Sequence, residues 1–140
     1  METPKLQDYI HTLYDELEMD PKPTANEKLQ YKLVIADDLE LFIQEFDDHA
    51  FIEANIKECP QQKREELFMY LMEANLLGQG TGESAIGLDQ QEKFLTLSSI
   101  LSYDTNYAEF KNAIEDFTNY LFYWREEVEK FEKKINQAIL

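Results

Sequence analysis

The chain has 140 residues, 44% of them hydrophobic, and its 13 basic and 29 acidic residues give a net charge of −16 at pH 7. This length suits one domain over residues 1–140, and the apolar fraction is too high for a disordered chain. The acidity excludes nucleic acid as an expected partner, because phosphate backbones are bound mainly by lysine and arginine. It favours basic or polar partners.

The sequence also indicates a cellular compartment. The single cysteine, Cys59, excludes an internal disulfide and suits a reducing environment. The start METPKLQDYIHTL lacks the basic and apolar regions of a secretory signal. The longest apolar run is LFMYLM at 67–72, far below the ~20 residues that cross a bilayer. We therefore predict a cytoplasmic protein without stable membrane insertion.

The first half predicts one helix followed by three strands. The helix is expected to begin at Thr3-Pro4, and its apolar residues recur at steps of four, three and four: Leu6, Ile10, Leu13 and Leu17. Pro21 ends it. The hydrophobic period then changes to two at 29–35, and strands at 39–46 and 50–58 follow after short acidic turns. This spacing is typical of an antiparallel meander.

The second half predicts a helix, two strands and a long final helix. Pro60 suits a first helical turn, and the apolar residues of this helix occupy more than one face. Gly78 is expected to close the helix, and strands at 84–89 and 93–101 come next. The last helix begins near Asn106 and is expected to project or fray beyond Trp124, where charges dominate. The order α-β-β-β-α-β-β-α predicts an α+β fold with a five-stranded antiparallel sheet packed by helices.

The glycine-rich segment GQGTG at 78–82 is the first candidate for a functional site. A dinucleotide-binding loop needs G-x-G-x-x-G between a strand and a helix. Here a helix precedes the segment, a strand follows it, and Glu83 occupies the third glycine position. We therefore predict no nucleotide site and no other cofactor.

Catalytic and metal-binding candidates are equally weak. Cys59 stands at a helix start, but its neighbour Glu58 disfavours a thiolate. The histidines, His11 and His49, belong to no recognisable motif. The acidic pairs at 37–38 and 47–48 suit solvated turns, in which aspartate bonds the backbone. We expect no catalytic residue and no metal site, although a hydrolase using scattered carboxylates stays open as an unsupported alternative.

Residues 71–101 and the helix after them closely resemble class I type III secretion chaperones, the Tir-chaperone (CesT-like) family. The resemblance covers nearly the whole chain in element order, size and acidity. It is carried by packing signatures rather than catalytic motifs, namely Ala74-Asn75-Leu76-Leu77-Gly78, Gly87-Leu88-Asp89, Leu95-Thr96-Leu97, and Phe117 with Trp124.

The resemblance implies a bacterial protein, without enzymatic activity, that binds the N-terminal segment of a secreted effector and keeps it extended. It implies dimerisation through the second helix and the following strand, at Leu67, Tyr70, Leu71, Ala74, Leu77, Ile86 and Leu88. It implies effector binding at a free sheet edge and nearby apolar patches, at Leu6, Ile10, Leu13, Leu29, Tyr31, Leu33, Ile35, Leu41 and Ile43. The alternative is a regulatory adaptor of the same fold that sequesters a transcription or secretion regulator, with a heterodimer of this chain and another chaperone as one form of it. For either function the dimer is a homodimer or a heterodimer with a second chaperone.

Overall fold

The computed structural model describes residues 5–36, 39–76, 84–102 and 104–139. Three helices and five strands follow in the order α1 Lys5–Glu16, β1 Gln30–Ala36, β2 Leu39–Glu45, β3 His49–Glu58, α2 Arg64–Asn75, β4 Ala85–Leu88, β5 Phe94–Ser102 and α3 Tyr107–Ile139. The strands form one sheet in the order β1-β2-β3-β5-β4. The pairs β1–β2, β2–β3 and β4–β5 are antiparallel. The predicted α+β fold and element order are confirmed.

The chain divides into two compact units, and β3, β5 and α3 run through both. The first comprises Met1–Glu53 with Ile100–Glu115, and the second Ala54–Ser99 with Asp116–Leu140. The assignment of a single domain to residues 1–140 stays a prediction.

In the first unit, the two hydrophobic periods place their apolar residues in a core. On α1 the buried side chains recur at helical spacing, and on β1 and β2 they alternate: Leu6, Ile10, Leu13, Tyr14, Tyr31, Leu33, Leu39, Leu41 and Ile43. The Tyr9 ring lies 5.6 Å from the rings of both Tyr107 and Phe110. Burial of these side chains supplies most of the driving force that holds α1 in place.

Helix α3 begins with a reciprocal cap. The Asn106 side chain accepts a hydrogen bond from the Glu109 N–H at 2.8 Å, and the Glu109 carboxylate accepts one from the Asn106 N–H at 3.1 Å. This capping box satisfies two main-chain donors that a helix start otherwise leaves unpaired. It explains why the helix starts where the sequence predicts.

In the second unit, α2, β4, β5 and most of α3 share a core built from Leu67, Leu71, Ala74, Ile86, Leu95, Leu97, Phe117, Leu121, Trp124 and Val128. Arg125 donates to the main-chain oxygens of Asn55 and Ile56, both at 3.0 Å. A guanidinium can serve two acceptors at once because it carries several donors in one plane.

Two expectations about helix boundaries were wrong. Helix α2 begins at Arg64 rather than Pro60, because Lys63 adopts a left-handed conformation that a helix cannot contain. Helix α3 continues to Ile139 instead of fraying after Trp124. Val128 and Ile135 remain buried there, and Glu132 pairs with Lys57 at 3.2 Å. The expected closing role of Gly78 lies outside the described residues.

Candidate protein-binding surfaces

Strand β1 is one edge of the sheet, and its main chain alternates between pairing with β2 and pointing away from it. In an antiparallel ladder every second residue directs both N–H and C=O outward. On β1 these residues are Gln30, Lys32 and Val34, because the outward groups of Gln30 and Val34 bond to residues outside the sheet. The edge therefore offers three sets of main-chain groups in one row.

A different part of the chain covers each end of this row. The Asn26 N–H donates to the Gln30 oxygen at 3.0 Å, and the Asn26 side chain accepts from the Gln30 N–H at 3.0 Å. The Tyr14 hydroxyl accepts from the Val34 N–H at 2.9 Å and lies 3.4 Å from the Val34 oxygen, to which it donates. Within the described residues, Lys32 alone keeps its outward main-chain groups open.

A groove runs beside this edge, and we call it the β1 groove. Its cavity of about 820 Å³ lies between residues 18–24 on one side and Lys32, Val34 and Ile35 on the other, with Tyr14 also lining it. His11 Nε2 lies 2.8 Å from the Pro23 oxygen and ties the 18–24 segment to α1. The groove can accommodate an extended chain next to β1.

The two lysines that line the β1 groove are paired within the protein, and Glu18 and Asp20 add two carboxylates to the lining. Lys22 lies 2.6 Å from Asp15, and Lys32 lies 3.3 Å from Glu40. Both pairs are exposed, so each contributes little to stability. A chain lying in the groove meets main-chain groups, apolar side chains and carboxylates, while both lysines are already paired.

Strand β4 is the other sheet edge, and a side chain closes it. The Asn75 amide nitrogen donates to the Ile86 oxygen at 2.8 Å, and the Asn75 amide oxygen accepts from the Ile86 N–H at 2.8 Å. The carboxamide thus takes the position of a neighbouring strand at Ile86. This edge is therefore closed to strand addition at Ile86.

The surface formed by α2 and β4 is apolar well beyond its buried stripe. Leu67, Leu71 and Ala74 are buried, whereas Met69 and Met72 expose 66% and 69% of their surface. A cavity of about 230 Å³ between α2 and β4 is lined by Phe68, Leu71, Met72, Asn75, Ile86, Gly87, Leu88 and Leu95. Adjacent exposed apolar side chains of this kind mark interaction sites. We call this region the α2–β4 surface.

Gly87 lies inside β4, where a glycine often marks the close approach of another part of the backbone. A Cβ placed at Gly87 would lie 3.7 Å from the Thr96 hydroxyl oxygen, an ordinary contact distance. The described part of the protomer therefore does not require glycine at this position.

The residues predicted at the dimer interface lie together with one exception. Leu67, Leu71, Ala74 and Ile86 are buried on facing parts of α2 and β4, while Tyr70 and Leu88 are partly exposed. Leu77 lies outside the described residues. Their role at a dimer interface stays a prediction.

Most of the residues predicted to bind an effector are core residues of the first unit. The buried ones are Leu6, Ile10, Leu13, Tyr31, Leu33, Leu41 and Ile43. Leu29 is 50% exposed, and Ile35 is half-buried and lines the β1 groove. The buried members support the β1 edge from inside the fold, so direct contact through them is not available in this conformation.

A second, much smaller cavity of about 40 Å³ lies in the first unit, among residues that include Leu6, Tyr9, Phe46 and His49. The Phe46 and His49 rings stack with centroids 4.8 Å apart. Burial raises the pKa of the nearby Glu45 carboxyl. This space suits a single apolar side chain at most.

Cys59 and the two histidines lie in separate surroundings, each with its own neighbours. Cys59 is buried, and burial raises the pKa of its thiol despite the nearby Arg64. His11 is engaged with Pro23, and His49 with Asp48 at 2.6 Å. Across the described ranges, no three His, Cys, Asp or Glu side chains could jointly hold a metal ion. The acidic pair at 37–38 lies outside those ranges.

Sequence reasoning missed the two side chains that control the sheet edges. Tyr14 reads as a residue flanking the apolar stripe of a helix, and Asn75 as part of a helix end. An asparagine three residues before a glycine indicates the end of a helix. It does not identify the partner of that asparagine, Ile86, which lies 11 residues further along the chain. Neither contact follows from local spacing.

An open sheet edge, an exposed apolar helix face and a strongly acidic surface define a small protein-binding α+β protein. Among the described residues, no helix has the length and apolar character needed to span a bilayer. Residues 9–125 match the family of the Tir chaperone protein (CesT). The chain belongs to this family, as its motifs predict.

Solved structures share the fold at low identity. The ExsC–ExsE complex matches with a TM-score of 0.73 and 12% identity over 89% of this chain and 93% of that one. The HopA1–SchA chaperone–effector complex gives 0.64 and 14% over 89% and 99%. The Yersinia pestis type III secretion chaperone SycH, in complex with a stable fragment of YscM2, gives 0.64 and 13% over 84% and 98%.

A curated relative is more similar in sequence over a shorter stretch. The Chlamydia pneumoniae protein CPj0713/CpB0740 is 34% identical over 65 residues, which are 46% of this chain and 49% of that protein. The alignment therefore spans about half the length of that relative.

Proposed function

We propose that this protein is a type III secretion chaperone that acts in the bacterial cytoplasm. It binds the N-terminal region of a secreted effector or regulator and keeps that region soluble and extended for export. Family membership supports the class of function, and the open Lys32 main chain on the β1 edge is the observation that carries the mode of binding.

The partner adds as a strand beside β1. A strand gains main-chain hydrogen bonds whatever its sequence, while pockets for alternate side chains supply selectivity. The outward residues from Gln30 to Val34 cover about 13 Å of edge at ~3.3 Å per residue. Strand β1 has seven residues and borders the β1 groove, whereas β4 has four residues and Asn75 occupies its Ile86 position. An extended chain therefore docks at β1.

The predicted effector-binding residues fall into two groups: some can contact a partner at the β1 edge, and others are buried and support that strand from inside the fold. Leu29 and Ile35 reach the surface at or next to the edge, as does Val34, which was not among the predicted residues. The buried side chains behind them, such as Leu33 and Leu41, fix the position of β1 against β2. The strand proposed from sequence thus remains the binding element, with its main chain and exposed residues as the contact.

The α2–β4 surface serves dimerisation. Met72 is exposed on α2, Leu76 directly after that helix, and Leu88 on β4. Pairing two such surfaces removes their apolar area from water, which is the main favourable contribution in protein association. The partner is a second copy of this chain or another chaperone of the same fold.

Capture of the partner tests the proposal directly. Protein that copurifies from the native host is identified by mass spectrometry, and its N-terminal segment is then tested in pull-down. Lys32→Pro removes the open N–H without touching the β1–β2 ladder, because proline is tolerated at an edge strand whose N–H points outward. We expect capture to fall at least tenfold.

Lys32→Ala is the matched control, since it removes the same side chain but keeps the N–H, and it should capture normally. Equal capture by both variants contradicts binding at this edge. The identity of the captured protein separates an effector chaperone from a regulatory adaptor, and a second chaperone in the captured material indicates a mixed dimer.

A further inference from the structure

The Tyr14 hydroxyl occupies the position that a partner strand needs at Val34. It contacts the N–H and the C=O of one residue, as the main chain of an added strand does. Tyr14 is only 3% exposed, so its hydroxyl reaches the edge from inside the core. Val34 itself is 41% exposed on the groove side. The contact between Tyr14 and Val34 therefore lies where the core of the first unit meets the β1 groove.

A partner that pairs at Lys32 also reaches Val34. Outward positions on one strand repeat every second residue, about 6.6 Å apart. A strand long enough to bond at Lys32 and one neighbour must displace either Tyr14 from Val34 or Asn26 from Gln30. Asn26 is held by its own turn, in which its side chain also accepts from the Lys28 N–H at 2.9 Å. The Tyr14 hydroxyl has one attachment among the described residues, and it lines the cavity beside it.

We propose that Tyr14 is a displaceable cap on the β1 edge, which an incoming strand must release from Val34 in order to bind. This inference rests on the proposed function and concerns the regulation of the same site. In the free protein the cap satisfies Val34 and shortens the open edge to one residue. That protects against pairing between copies, a known hazard of exposed sheet edges. In the complex the partner main chain replaces it.

Removal of the cap should strengthen partner binding. Tyr14→Phe keeps the buried ring and deletes only the hydroxyl, so the partner no longer competes with an internal hydrogen bond. From the net contribution of one such bond we expect roughly fivefold tighter binding. Tyr9→Phe is the matched control on the same helix, because the Tyr9 hydroxyl donates to the Thr105 oxygen at 3.1 Å and not to an edge. It should leave the affinity unchanged.

The probe is a set of random 15-residue peptides displayed on phage and selected on the whole wild-type protein. Enriched peptides are synthesised, and their dissociation constants are measured by calorimetry for wild type, Tyr14→Phe and Tyr9→Phe. Tighter binding to Tyr14→Phe alone supports the cap. Unchanged or weaker binding to Tyr14→Phe overturns it.

Amide hydrogen exchange at Val34 gives a second readout that does not depend on the variant's stability. In wild type the Val34 amide should stay protected with or without peptide, whereas the Lys32 amide becomes protected only with peptide. In selectively labelled wild type the Tyr14 Cζ resonance should shift on binding. A stationary Tyr14 resonance with a protected Lys32 amide overturns the cap but leaves the proposed function intact. Enrichment of no peptide, by contrast, contradicts the proposed function itself.

Discussion

The Asn75 carboxamide and the Ile86 main chain form two hydrogen bonds of 2.8 Å each, one in either direction. A single side chain thereby joins the end of α2 to the free edge of β4. Because β4 has only four residues, this pair accounts for much of what fixes the strand on its outer side.

Asn75→Ala should destabilise the protein by about 1–3 kcal/mol. The change removes both partners of Ile86, and a partly buried donor and acceptor then lose their hydrogen bonds. Urea unfolding monitored by circular dichroism gives the difference in free energy of unfolding. Asn119→Ala, on the exposed face of α3, is the matched control and should stay within ~0.5 kcal/mol of wild type. Equal stability of the Asn75 and Asn119 variants would show that Asn75 does not hold the edge.

Met72→Glu should weaken dimerisation by roughly tenfold or more, because an unpaired carboxylate on the α2–β4 surface has to be desolvated when two copies meet. Sedimentation equilibrium measures the change in the monomer–dimer constant. Met72→Leu keeps the apolar character and should dimerise normally. Leu17→Glu places the same charge on an exposed leucine after α1 and should also leave the dimer intact. A Met72→Glu protein that dimerises like wild type would exclude this surface as the interface.

The periodicity of the sequence predicted the eight elements because each depends on neighbours within a few residues. The steps of Leu6, Ile10 and Leu13 and the alternation of Tyr31 and Leu33 are local patterns, and both kinds of residue are buried as expected. The same patterns do not distinguish an edge strand from a central one, so the edge position of β1 is inferred only from its place as the first strand of the chain. They contain nothing about which main-chain groups of that strand are already occupied.

The surfaces depend on contacts between distant residues, so the sequence predicted them less well. Tyr14 meets Val34 only because the 18–24 segment turns back along β1, a path that no short-range rule specifies. The charged end of α3 was misjudged for a related reason. The apolar residues Val128 and Ile135 are visible in the sequence, but their burial, which holds the helix end despite its charges, depends on distant contacts.

Asn106→Ala should cost about 1 kcal/mol of stability, since the cap of α3 loses its side-chain acceptor. The distance of 2.8 Å from the Asn106 side chain to the Glu109 N–H identifies the bond that is lost. Thermal and urea unfolding both report the change. Asn106→Asp keeps an acceptor at the same place and should retain most of the stability. If the alanine and aspartate variants unfold alike, the capping box contributes nothing measurable.

Tyr70 connects α2 to α3 through a hydrogen bond whose protonation can be followed. Its hydroxyl donates to the Glu127 carboxylate at 3.1 Å, and its ring centroid lies 5.7 Å from that of Trp124. Burial, followed by the hydrogen bond to Glu127 and the charge of that carboxylate, raises the pKa of Tyr70 to about 12. Because the folded protein favours the neutral phenol, this contribution to stability is complete below pH ~10 and is lost as the pH rises towards about 12.

Glu127→Gln should lower the pKa of Tyr70 but leave it above its ordinary value of about 10, since burial is the largest cause of the shift and remains in the variant. In the variant, the loss of stability at alkaline pH then begins at the same pH as in wild type and is complete at a lower pH. Titration of the Tyr70 Cζ chemical shift measures the pKa, and Tyr70→Phe assigns the resonance by removing it. Glu129→Gln, on the same helix and paired with Lys133, is the control and should leave Tyr70 unchanged. A Tyr70 that titrates identically in wild type and Glu127→Gln would mean that the carboxylate does not hold the hydroxyl in solution.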